Sequence, residues 1–273
     1  MAVNLASKYS TKIDEAFSLG SITGPATNQD YEFTGVQTVH VLSIGTATMN
    51  DYNRTAATNR YGEPAELQDT KQDLTMTKDR SFAFTIDKGN YTDQQMTKNA
   101  GAALRRQIDL VVTPEIDKYR LDKIVAGAGA GATAAVTKTT AYEKFLDGQE
   151  ALTEKLAPVG GRVCYASAAY YKLIKQDEAF IKNADLAQQM LLNGQVGMID
   201  GVPVILTPSA WLPTNTAFVI TNSIACVAPI KLADYKIHED PPGINGWLVE
   251  GRVYYDAFVL TNKANAIYVH KTA

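Results

Sequence analysis

The chain has 273 residues, with 26 Lys and Arg against 29 Asp and Glu for a formal net charge of −3. Its 45% hydrophobic share excludes a disordered chain, which would lack the apolar surface to offset ordering entropy. The slight acidity argues against a protein that grips nucleic acid through a basic face, so any DNA contact should be non-specific and collective.

No apolar run reaches the ~18 residues of a membrane span. The first twenty residues, with Lys8, Lys12, Asp14 and Glu15, lack the apolar core of a signal peptide. Synthesis in a cytoplasm is expected. Cys164 and Cys226 are far apart in sequence and read as reduced thiols in apolar strands.

Residues 1–35 are polar and broken by Gly20, Gly24, Pro25 and Gly35. They read as an arm, with a short helix over 10–19 at most, that becomes ordered by lying on something else. Residues 36–44 are β-branched and predict a strand. A polar, turn-rich stretch from Gly45 to Asp73 follows. Then Leu74, Met76, Lys78, Arg80, Phe82, Phe84 and Ile86 alternate with polar residues, which predicts one long strand. Two strands joined by an excursion of about thirty residues predict a protruding two-stranded flap.

Thr92 to Gln95 is a capping-box pattern. Behind it Met96, Ala100, Ala103, Leu104, Ile108 and Val111 recur at helical spacing, and the pattern resumes after Pro114 through Ile116, Tyr119, Leu121 and Ile124. This predicts one long helix over 92–125 bent at Pro114, or two helices in series, with the Met96 to Val111 stripe against the strand carrying Phe82, Phe84 and Ile86. Residues 126–135 are Gly/Ala-rich and predict a flexible connection.

An α/β portion follows. Thr140 to Glu143 is a second capping box, opening a helix stopped by Pro158. A strand is expected at 162–166, a helix capped by Ser167, and another helix over 185–192. Asp200-Gly201 is a strong hairpin signal. Strands are expected at 217–220, 224–227, 234–239, 247–260 and 266–270.

Catalytic signatures fail on spacing. Gly127, Gly129 and Gly131 follow a helix and match neither a phosphate loop nor a dinucleotide fingerprint. His40, His238 and His270 sit singly in predicted strands, without a second metal-type ligand nearby. The acid pairs Glu115/Asp117 and Glu239/Asp240 read as solvated or salt-bridged faces. Asn53-Arg54-Thr55 matches a glycosylation acceptor, which is meaningless in a cytosolic product. No catalytic residue, cofactor or metal is expected, and an α/β enzyme built on 127–232 finds no clustered set to support it.

The order of parts, together with Asp51-Tyr-Asn-Arg54, Lys78-Asp-Arg-Ser-Phe82, Phe84 to Asp87, Val112 to Asp117, Tyr119-Arg120, Asp200 to Pro203, Pro242 to Arg252 and Tyr255 to Phe258, resembles the major capsid proteins of tailed bacteriophages with the Hong Kong 97-type fold. Capsid proteins of phages infecting Gram-positive hosts are the nearest in pattern. The resemblance covers roughly residues 36 to 271 and rests on the combination of motifs.

It implies an α+β fold. Residues 1–35 would be an N-terminal arm, and 36–126 the first part of a peripheral domain, with an extended loop over 45–73 that overlaps a neighbouring subunit and a spine helix over 92–125. Residues 127–232 would form an α/β axial domain, 233–259 a return to the peripheral domain, and 260–273 a final axial strand. It implies assembly of the chain with itself, as hexamers and pentamers in an icosahedral virion shell around double-stranded DNA. On that resemblance Asp51, Tyr52, Arg54, Glu63, Lys71, Pro241, Pro242, Glu250 and Arg252 are candidate assembly-interface residues.

Some relatives carry a long cleaved scaffolding segment at the N-terminus. Here about 35 residues precede the first strand, so either that segment is absent and a separate scaffolding protein serves, or the chain is already processed; the initial Met favours the first, with a portal and a decoration protein as further partners. Two other structural readings stand beside this one. An encapsulin-type compartment shell shares the fold, and a tail-tube or decoration protein is disfavoured by the long helix.

Overall fold

A computed structural model describes residues 20–28, 30, 31, 33, 36–89, 99–182 and 197–273. The helices expected at 10–19 and 185–192, and the Thr92 to Gln95 capping box with Met96, lie outside these residues.

Two strands, β1 (Thr38–Ile44) and β2 (Asp69–Thr75), pair antiparallel as a ribbon. The expected long strand does not continue from β2. It breaks at Met76 and Thr77, and β3 (Lys78–Asp87) joins a different sheet. The reason is local. Met76 N–H donates to the Gln37 carbonyl (3.0 Å), and Thr77 donates its N–H (2.7 Å) and hydroxyl (3.1 Å) to the Asp256 carboxylate. Leu74 and Met76 are then buried with Phe33, Val227 and Leu260, in a cluster that excludes Phe82, Phe84 and Ile86.

The expected long helix exists with a different buried face. It comprises α1 (Ala100–Gln107), a π-turn (Ile108–Val112) and α2 (Thr113–Ala126), without interruption. Asn99 caps it, its side chain accepting from the N–H groups of Gly101 and Ala102. This helix therefore begins at Ala100, and at ~1.5 Å per residue spans about 40 Å; the start expected at residue 92 lies outside the described residues. Pro114 cannot donate an N–H and would clash with the preceding turn. The π-turn immediately before it widens the ladder, and Thr113 N–H reaches back to Ile108 O.

No side chain of α1 is fully buried, and Val111 is 46% exposed. The apolar stripe expected along Met96 to Val111 is at most half-buried where it is described. The buried face belongs to α2, with Asp117, Arg120, Leu121, Ile124 and Val125.

β3 pairs with β11 (Gly246–Tyr255), which pairs with β10 (Ile230–Glu239), giving a three-stranded antiparallel sheet. Short strands β9 (Cys226–Val227) and β12 (Phe258–Val259) pair antiparallel with each other. The largest sheet has the order β4-β13-β8-β5-β7-β6, formed by Ala130–Thr133, Ile267–Lys271, Thr216–Asn222, Arg162–Ser167, Val202–Thr207 and Met198–Ile199. Every residue of β8 and β5 is buried, as a sheet covered on both faces requires. Helices α3 (Ala141–Glu154) and α4 (Ala168–Lys175) cover one face around Phe145, Tyr170 and Phe218; α2 covers the other around Leu121, Tyr165 and Ile267.

Three local expectations change here. The Gly/Ala segment is not a flexible link: β4 lies within it, parallel to β13. A Cβ on Gly129 would meet the Ala264 backbone at 2.7 Å, and one on Gly131 the Val269 carbonyl oxygen at 2.8 Å. These glycines serve close backbone approach. The Thr140 capping box is not formed. The buried Asp177 carboxylate takes Tyr142 N–H (3.0 Å), and its other oxygen takes Ala179 N–H (2.9 Å) at the start of α5 (Glu178–Lys182). Ser167, by contrast, caps α4 as expected, accepting from Tyr170 N–H. The Asp200-Gly201 turn also forms as expected, with φ of 48° and 77°.

Candidate assembly surfaces

The β1–β2 ribbon carries Val39, Val41, Gln72 and Leu74 on the face turned to the body of the molecule. Gln72 is held at both ends of its amide, donating to Val259 O and accepting from Thr261 N–H. The opposite face carries Leu42 (69% exposed) and Ile44 (72%) across from Lys71 and Asp69. A two-stranded ribbon has too little area to cover such side chains itself.

Beyond the ribbon, residues 45–68 are almost entirely exposed. The tip is nonetheless ordered by its own polar groups. Asn53 Oδ1 accepts from Thr55 N–H, Thr55 Oγ1 and Ala56 N–H. Arg60 donates through Nε to Ala56 O, Asn53 N–H donates to Arg60 O, and Asn59 donates to Glu63. The rings of Tyr52 and Tyr61 meet edge to face at 5.0 Å. The tip spends polar bonds on its own shape while leaving Met49 (99%) and Tyr61 (84%) exposed.

The three-stranded sheet bears the second set of residues. Arg252 holds Asp79 through two bonds, 2.9 Å from Nε and 2.5 Å from Nη2, and this keeps the Asp79 carboxyl below its usual range. Glu250 lies 3.4 Å from His238, and Lys236 lies 3.0 Å from Asp234. All six alternate along one solvent-facing side of the sheet. On the other side Tyr255 meets Tyr119 of α2 edge to face at 5.7 Å, while Glu115 pairs with Arg80 at 2.8 Å.

Pro241 and Pro242 form the tip of the β10–β11 hairpin. Ile244 N–H donates to Pro241 O, and Gly246 N–H to the Asp240 carboxylate. Lys88 pairs with that carboxylate and lowers its pKa. Only glycine fits at 246, where φ is +153° and a Cβ would lie 2.1 Å from Ile86 O.

The candidate residues therefore divide into two groups. Asp51, Tyr52, Arg54, Glu63 and Lys71 belong to the flap, where Lys71 lies 3.3 Å from Asp73, itself held by His40 at 2.6 Å. Pro241, Pro242, Glu250 and Arg252 belong to the three-stranded sheet.

A third element is a clamp that anchors the arm, a role the sequence reading did not give to Asp117, which it placed with Glu115 on a solvated or salt-bridged face. Asp117 is fully buried, not on a solvated face. It accepts from Ser21 Oγ (2.9 Å), Ile22 N–H (2.8 Å) and Thr23 Oγ1 (2.5 Å). Arg120 donates to Thr23 Oγ1 (3.2 Å) and Ala228 O (3.4 Å), and Tyr165 donates to Ile22 O. Burial lowers the Arg120 pKa and the Asp117 charge opposes that. The signal was in the spacing: Asp117, Leu121 and Ile124 share one helical face. Asp256 joins Thr77 to Tyr119, whose hydroxyl donates to it at 2.8 Å. Buried His270 stacks on Phe218, and burial lowers its pKa.

No protein-family model and no curated protein matches the sequence. Solved structures do. A chain from Mycobacterium phage Che8 is 18% identical with a TM-score of 0.82, covering 97% of this chain and 96% of that one. A chain of the capsid structure of Cyanophage P-SCSP1u is 12% identical with a TM-score of 0.79, covering 98% and 93%. A chain of the head structure of Helicobacter pylori bacteriophage KHP40 is 13% identical with a TM-score of 0.72, covering 98% and 95%. The likeness at these identities is one of fold. The protein has an α+β fold that chains of phage capsid and head structures share over nearly their whole length.

Proposed function

We propose that the chain is a major capsid protein, a structural rather than enzymatic subunit that assembles with copies of itself into a phage head shell around double-stranded DNA. The observation that carries this reading is the flap: a self-ordered tip on an uncovered apolar ribbon, on a fold shared end to end with phage capsid chains. Flap residues Asp51, Tyr52, Arg54, Glu63 and Lys71 would lie over a neighbouring subunit, and Pro241, Pro242, Glu250 and Arg252 would meet other copies. Edge and ribbon groups that lack partners on their own chain gain them in a closed symmetric assembly.

In this reading the ribbon, the long helix and the three-stranded sheet form a peripheral domain, and the six-stranded sheet with α3 and α4 forms an axial domain around the five- and six-fold axes. A scaffolding protein, a portal and packaged DNA would be the partners, the DNA contacted weakly by a chain of net charge −3. The phage structures that share the fold favour a head shell over an encapsulin-type compartment.

The test is assembly of the purified chain, followed by light scattering and negative-stain microscopy. Pentamers, hexamers or shells are expected at micromolar concentration. Deleting Asn53 to Glu66 should leave circular dichroism and melting nearly unchanged while abolishing shells. Monomer alone across salt and concentration, with a co-expressed scaffold included, would count against the reading.

A further inference from the structure

The three-stranded sheet has the order β10-β11-β3, and among the described residues no strand pairs with the outer edge of β10. This edge is long and partly apolar, with Ile237 44% exposed. Such an edge is a template for another chain. Its sequence carries a further property. Read as Lys231-Leu-Ala-Asp-Tyr-Lys-Ile-His-Glu239, it is charge-complementary to itself in the antiparallel sense about Tyr235. Pairing two copies in that register places Asp234 opposite Lys236 and Lys236 opposite Asp234. It places Ala233 opposite Ile237, Leu232 opposite His238, and Tyr235 opposite itself. Lys231 and Glu239 would continue the pattern, but a bulge at Lys231 ends the regular ladder, so pairing runs over 232–238.

The rest of the sheet extends the match. Within the chain Asp234 is aligned with Arg252 on β11, and Lys236 with Glu250. Joining two β10 edges about a two-fold axis therefore produces rows that read Arg252, Asp234, then the second copy's Lys236 and Glu250. Signs alternate at every step, and the symmetry-related row does the same. Directly opposed charges of opposite sign stabilise a sheet, and like charges destabilise it. Charges placed on an edge only to repel other strands have no need of signs mirrored about one residue.

We infer that β10 is a homotypic docking edge: two copies pair antiparallel about Tyr235, fusing two three-stranded sheets into one of six strands. This deepens the shell reading by naming one contact between copies, an isologous contact of the kind a two-fold axis demands.

The test uses the full-length chain in two parts. Asp234→Lys sets Lys against Lys in both rows, and Lys236→Asp sets Asp against Asp. Each variant alone should keep its circular dichroism, with a small drop in melting temperature from the like charge set beside Arg252 or Glu250 in its own sheet, while the concentration for association rises about tenfold or more. Mixing the two variants restores opposite signs in both rows and should restore association. Rescue in the mixture follows from this register and from no general loss of stability.

Separately, Tyr235→Cys should give a disulfide-linked dimer on mild oxidation, because directly opposed antiparallel residues lie within disulfide range. Ser81→Cys, on the strand two positions away from that edge, should not. Cross-linking in shells, or in solution if shells do not form, supports the edge. Shells without a Tyr235→Cys cross-link, or single variants that associate as well as the mixture, would overturn the inference while leaving the shell reading intact. Absence of cross-link in both settings would overturn it as well.

Discussion

Thr23 stands between two buried charges, donating its hydroxyl to Asp117 Oδ1 at 2.5 Å while accepting from Arg120 Nη1 at 3.2 Å. One threonine of the arm thereby completes an ion network on the long helix, and the helix in turn sets where the arm leaves the body.

Asp117→Ala should therefore be severely destabilising. It removes three accepted hydrogen bonds and leaves Arg120 buried without a counter-charge, which costs roughly 3–5 kcal/mol. Urea unfolding should show that loss as a lowered midpoint. Thr23→Val, which removes only the relay, should lose about 1–3 kcal/mol.

The two halves of the long helix should respond differently to substitution. Leu121 is fully buried, so Leu121→Asp should prevent folding, through an unpaired charge in the core. Leu104, half-buried on α1, should tolerate Asp with a lowered melting temperature, and the exposed Arg105→Ala should be nearly neutral. Thermal melts of the three soluble fractions rank them.

Gly129→Ala should destabilise by about 1–3 kcal/mol, because the added methyl meets the Ala264 backbone at 2.7 Å in a packed setting. Gly160→Ala, with nothing within 4 Å, is the control and should change the melting temperature little. Equal melting of the two variants would mean that residues 126–135 are a loose connection after all.

Acid should weaken the three-stranded sheet through Asp79 and Asp240, whose carboxyls are held low by Arg252 and Lys88. Their folded-state values lie below the unfolded value of about 3.9. The contribution is therefore present above that pH and is lost as pH falls through the folded-state values. Asp79→Asn should flatten the acid limb of a urea-midpoint profile below about pH 4. Both groups are exposed, so the effect should also shrink in high salt.

Much of the architecture was legible in residue order because it depends on local chemistry. Period-two alternation marked β3, Ser167 marked a helix start, Asp200-Gly201 marked a tight hairpin, and the polar, turn-rich stretch over residues 45–73 marked a flap that could not bury itself. Each follows from neighbours within a few positions. What required the tertiary structure was every feature set by a partner distant in sequence. Asp256 splits the expected long strand by capturing Thr77 from 179 residues away. Asp177 displaces Thr140 as cap of α3 by accepting the N–H of Tyr142, 35 residues before it. Ala264 turns an apparently loose glycine run into a close-packed strand. Asp117, read from its pairing with Glu115 as part of a solvated or salt-bridged face, becomes the anchor of the arm because folding buries it and brings Ser21, Ile22 and Thr23 to its carboxylate.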